Sequence, residues 1–190
     1  MRRRELVQAA GAAGVAVTTG LSGCLSGGSG LVDTRIDPDF EPRRQRRTRP
    51  IVVAWDDDAR EVVVQGFMYY GSSSCNRIGV TEARYDADAD TLHATFDSVE
   101  KGGLPNLGCT ADMAASHYRA RFRFADALPE TVVVRESGSG EESDERTVVR
   151  SEQEQLCTTD HPEGSDAAER AHWTCPERYL RAGVSTGDEE

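Results

Sequence analysis

Tyr118-Arg119-Ala120-Arg121-Phe122-Arg123-Phe124 alternates without a break, with an apolar or aromatic side chain at every even position and arginine at every odd one. Successive side chains of a strand point to opposite faces, so this segment has one face in an apolar core and the other in water. A single wet face belongs to an antiparallel sheet. On the N-terminal side, Ile51-Val52-Val53-Ala54-Trp55 and the longer Glu61-Val62-Val63-Val64-Gln65-Gly66-Phe67-Met68-Tyr69-Tyr70 flank the turn Asp56-Asp57-Asp58-Ala59. Arg77-Ile78-Gly79-Val80-Thr81-Glu82-Ala83-Arg84-Tyr85 places Ile78 and Val80 inward and leaves the phase of Tyr85 open. Beyond the turn at 86–90, Leu92, Ala94 and Phe96 share one face. On the C-terminal side, Thr131-Val132-Val133-Val134-Arg135 and Arg146-Thr147-Val148-Val149-Arg150 are strands, separated by the Gly/Ser/acidic loop 137–144. Seven short strands with frequent turns predict a mainly β fold, a small antiparallel β-sandwich of about seven strands, with a small barrel as the alternative. There is no internal repeat.

After residue 150 the period changes. Ser151-Glu152-Gln153-Glu154 has the form of a capping box, and Asp166-Ala167-Ala168-Glu169 is a second helix start. Pro176 suits the first turn of a third helix that Gly183 would close. These signals predict a short helical or irregular tail over 151–183, packed on the sandwich of 50–150, and a disordered end over 184–190.

The N-terminus has a different character. Met1-Arg2-Arg3-Arg4-Glu5-Leu6-Val7 precedes a mild apolar run ending at Leu21. A positive block before such a run is the physical form of a secretory signal. The run is short for a transmembrane helix, which needs about 20 mainly apolar residues. Arg3-Arg4 resembles the twin-arginine export motif, and Leu21-Ser22-Gly23-Cys24 resembles the lipobox of lipoprotein signals. The resemblance implies cleavage of a signal peptide, 1–23, and a lipid on Cys24; the bland alternative is an ordinary thiol. The expected location is the extracytoplasmic face of the cell membrane, with membrane lipid as the partner reached through Cys24. Residues 24–49 read as a lipid-anchored flexible linker: Gly/Ser at 26–30, prolines at 38 and 42, then five arginines within Arg43–Arg49. That basic run reads as a solvated linker in preference to a patch for anionic headgroups.

Formal charge is −11. Residues 1–50 hold nine arginines and five carboxylates, which leaves 13 basic and 28 acidic residues, a net of −15, over 51–190. Lys101 is the single lysine. Such a carboxylate-rich, lysine-poor chain resembles proteins of salt-loving archaea, where at 1 M salt the Debye length is about 3 Å and acidity serves hydration. An acidic body argues against nucleic acid as a partner.

Besides Cys24 the chain has Cys75, Cys109, Cys157 and Cys175. An even number in an exported protein suggests two disulfides, with three possible connectivities. We take Cys75–Cys109, closing the sheet region, and Cys157–Cys175, stapling the tail. A competing reading makes Cys157, His161, His172 and Cys175 a tetrahedral zinc set.

Other constellations are weak. Asp86, Asp88 and Asp90 alternate as a calcium loop begins, but Thr91 and Asp97 stand where an EF-hand needs Gly and Glu, so an acidic turn is expected. Gly71-Ser72-Ser73-Ser74-Cys75 is not a nucleophile elbow. His93 and His117 read as surface or satisfied histidines, and no phosphate-cradling or dinucleotide loop is present. The set Gly71-Ser72-Ser73-Ser74-Cys75, Cys109-Thr110-Ala111-Asp112 and Leu128-Pro129-Glu130-Thr131-Val132 resembles uncharacterised twin-arginine-exported lipoproteins of halophilic archaea and some actinobacteria. That resemblance implies a β-domain with a Cys75–Cys109 bridge and no activity. The expectation is therefore a non-enzymatic, membrane-anchored binding or scaffold module without a cofactor. The alternatives are a metal-binding module, or a cell-surface hydrolase using Ser72, Ser73 or Ser74.

Overall fold

The computed structural model describes residues 30–41, 51–102, 108–138 and 144–176. Cys24, the signal segment, the Arg43–Arg49 run, the expected third helix and the end at 184–190 lie outside them. Eight strands and two helices are described: β1 (Leu31–Asp37), β2 (Val52–Asp56), β3 (Glu61–Gly71), β4 (Asn76–Asp86), β5 (Thr91–Glu100), β6 (Ala114–Phe124), β7 (Thr131–Ser137), β8 (Asp144–Val149), α1 (Arg150–Thr158) and α2 (Asp166–Thr174). They form a sandwich of two four-stranded sheets, ordered β1-β6-β3-β2 and β4-β5-β7-β8.

The alternation of β6 decides the packing as expected. Tyr118, Ala120, Phe122 and Phe124 are buried, and they meet Leu92, Ala94 and Phe96 of β5 and Val132 and Val134 of β7 in one core. The odd-numbered arginines face water and pair across the sheet, Arg119 with Asp37 at 3.5 Å and Arg121 with Glu61 at 3.2 Å. Trp55 of β2 is buried and donates its indole N–H to the carbonyl of Pro129 at 2.7 Å, which ties the edge of the first sheet to the β6–β7 connection. Full burial of such side chains stabilises by roughly 1.5–3 kcal/mol each.

Four features differ from the sequence reading. Leu31–Asp37, inside the stretch read as a linker, is an edge strand whose register runs from Leu31↔Phe124 to Asp37↔Arg119. One pairing is parallel, β5 with β7, because the chain crosses to the other sheet to make β6 and returns in the original direction. The phase of β4 changes at a bulge between Val80 and Glu82. One extra residue moves the inward set from Ile78 and Val80 to Ala83 and Tyr85, and so places Tyr85 against the core. The capping box is not used: α1 starts at Arg150, two residues early, and Val149 in place of Ser151 is its N-cap, with no side-chain bond. Instead Glu130 satisfies the first turn, its carbonyl accepting from Arg150 N–H at 2.8 Å and its Oε1 from Ser151 N–H at 3.0 Å. The second helix start is as expected, with Ser165 as N-cap accepting from Ala168 N–H at 3.2 Å.

The sandwich has two poles. One collects the turns: Ala125 N–H bonds the carbonyl of Gly30, Phe124 N–H bonds that of Arg60, and Thr131 N–H bonds that of Asp90. Asp56 and Asp86 each accept backbone N–H groups of their own turns, as acidic turn residues do. The other pole carries the β3–β4 turn and the start of β6.

Candidate functional site

The second pole is organised by a disulfide. Cys75 follows the β3–β4 turn and Cys109 precedes β6, and they are bonded, with Cα atoms 5.5 Å apart. Around the bridge is a knot of hydroxyls. Ser72 Oγ lies 3.1 Å from Ser74 Oγ and 3.0 Å from Thr110 Oγ1, while Thr110 N–H donates to Ser74 Oγ at 2.9 Å. Thr110 Oγ1 and Ser73 N–H both donate to the carboxylate of Asp112. Hydrogen bonds from Ser73, then from Thr110, favour the charged form and hold that carboxyl at about 2. Lys101 Nζ closes the ring by donating to the Ser73 carbonyl at 2.7 Å.

This arrangement bears on the serine hydrolase alternative. The described partners of Ser72 and Ser74 are each other, Thr110 and Cys75, and the one acid in the knot is Asp112. A general base works best with a pKa near the operating pH, and a carboxylate held near 2 is far from it. His93 lies on β5, opposite Arg84 of β4, at the level of Val133. His117 packs its ring on Phe67, 4.8 Å between centroids. Tyr69 and Met113, beside the knot, are 53% and 62% exposed.

The tail holds the second bridge. Cys157 of α1 and Cys175, just after α2, are bonded with Cα atoms 5.6 Å apart, and with Ala171 and Leu156 they make a small core of their own. The zinc alternative needs two thiolates, and the disulfide consumes both. His161 Nε2 bonds the Leu156 carbonyl at 2.8 Å, and the His172 ring packs edge-on against Trp173. Both expected disulfides are therefore present in the expected pairing. The helical hairpin docks on the sandwich through Gln153, which is buried and donates its Nε2 to the carbonyls of Val53 on β2 and Thr174 on α2 at 2.9 and 3.0 Å. In this way it covers part of the β2 edge, which would otherwise present unpaired backbone groups.

One inward-facing acid escaped the sequence reading. Glu136 continues the inward phase of Val132 and Val134, and that phase was its sole signal. Its Oε1 accepts from Tyr118 O–H across the two sheets at 2.5 Å. Burial pushes the Glu136 carboxyl up to about 7, against the lowering effect of the tyrosine bond and with help from nearby Asp144. Gly66 makes room for the pair: a Cβ there would collide with Glu136 Oε1 and the Tyr118 ring and hydroxyl.

No protein-family model, no curated protein and no solved structure matches this chain.

Proposed function

We propose that this chain is an exported lipoprotein, anchored through Cys24 to the extracytoplasmic face of the membrane, whose body is a non-enzymatic binding or scaffold module. The observation that carries the reading is the division of the cysteines. Four of the five are spent in two bridges within the body, and the fifth is the cysteine of the lipobox-like Leu21-Ser22-Gly23-Cys24. Disulfides persist in oxidising compartments outside the cytosol, which suits a chain that begins with a twin-arginine-like, signal-like segment. The hydroxyl knot at the bridged pole supports a binding role over a catalytic one, because the described hydrogen-bond partners of Ser72 and Ser74 are each other, Thr110 and Cys75, where activation would need a histidine base. The acidic, lysine-poor composition supports work in high salt, and the partner would then be an extracytoplasmic molecule or protein.

The test is fractionation of cells that make the full chain, as wild type and as Cys24→Ser. The wild type is expected in the membrane fraction with an N-terminal lipid. The variant is expected to leave that fraction or to accumulate uncleaved. A variant that stays in the membrane with the wild-type mass contradicts the proposal.

A further inference from the structure

Strand β1 changes what an anchor at Cys24 can do. Had all of 24–49 been a free linker, the body could have turned in any direction above the membrane. Instead the chain is fixed to the sandwich from Leu31 onward, and Gly30 is held at the turn pole by its carbonyl bond to Ala125 N–H. Six residue steps separate Cys24 from Gly30, a reach of at most about 22 Å. The strands that run from one pole to the other, β3 and β6, have 11 residues each, a length of roughly 34 Å at about 3.4 Å per residue. Setting the bridged pole down on the lipid would lift Gly30 by that length, and the leash is too short for it.

Resting on the lipoprotein reading, we infer that the turn pole, with 56–60, 86–90 and 125–130, is the membrane-facing surface. The Cys75–Cys109 pole, with its hydroxyl knot and exposed Tyr69 and Met113, is presented outward. The chemistry of the turn pole is consistent with facing headgroups without adhering to them. Asp57, Asp58, Asp88 and Asp126 are exposed there, and an anionic lipid surface repels them at low ionic strength. The same topology places the flanks of the Arg43–Arg49 run away from this surface. Asp37, at the end of β1, and Val52, at the start of β2, both lie level with Arg119 and Gln65, midway along the sheet and about half a strand length from Gly30.

The experiment uses the full lipidated chain, reconstituted in molar salt into phosphatidylcholine–phosphatidylglycerol vesicles whose headgroups carry a fluorescence quencher. A small fluorescent amino acid is placed at position 58 in one sample and at position 113 in another. The dye at 58 is expected to be quenched several-fold more than the dye at 113. Insertion of about ten Gly/Ser residues after Ser26, adding about 35 Å of contour, is expected to narrow the difference. Equal quenching in chains that float with the vesicles, or stronger quenching at 113, overturns the orientation and leaves the anchor standing. Failure of the unlabelled wild type to float with vesicles overturns the anchor itself, and the orientation with it.

Discussion

Glu136 is the residue with the clearest consequence for stability. Its carboxyl sits near 7 in the folded protein, against an ordinary value near 4.3 in an unfolded chain. Between those values the folded state binds the extra proton, so stability falls as pH rises from about 4.3 to 7 and the loss is complete above 7. The loss amounts to at most about 4 kcal/mol. Glu136→Gln keeps an acceptor for Tyr118 O–H and removes the charge. Denaturant unfolding at pH 5 and pH 8 is expected to show the variant more stable than wild type at pH 8, with the gap shrinking at pH 5. A gap of the same size at both values would contradict the cause assigned. Gly66→Ala probes the same spot from the other side: a methyl there must displace Tyr118 or Glu136, and the expected loss is about 1–3 kcal/mol by thermal or denaturant unfolding.

Among the elements, the tail bridge and β1 carry the sharpest expectations. The Cys157–Cys175 bridge closes a loop of 18 residues, which the chain-entropy model values at about 3 kcal/mol, and replacing both cysteines by serine is expected to cost that much. Native-state hydrogen exchange separates a strand from a linker at β1: amides of 33–37 that bond to β6 are expected to be protected, and rapid exchange throughout would remove the strand. The elements that were legible from sequence were those with one clean face. Tyr118–Phe124 declared itself because apolar and arginine side chains never share a parity. Leu31–Asp37 did not, because it is an edge strand with only Leu31 and Ile36 packed on the core and a register shift between Leu31 and Asp33. The parallel β5–β7 pair was invisible for another reason, since strand direction follows from which sheet each crossing reaches, and local pattern does not encode that. The first turn of α1 misled because a long-range partner, Glu130, took the place of the local cap. At the candidate site the cysteine pairing was legible from count and context, whereas Lys101, Thr110 and Asp112 come together with Ser73 only through the fold.

The whole molecule is held by one sandwich core and two bridges. Ion pairs add little to it. Arg135–Glu145 and Arg150–Asp57, both at 2.6 Å, are surface pairs of the kind worth about 0–1 kcal/mol, and less in salt. The bridges and the core therefore hold the fold. The most direct measurement is the intact mass of the chain recovered in high salt from cells that make it, alkylated at thiols before and after reduction. The account predicts a chain that begins at Cys24, carries a lipid, takes up no alkyl group before reduction and takes up four after it. A chain without lipid, or one whose body cysteines are alkylated before reduction, would contradict it.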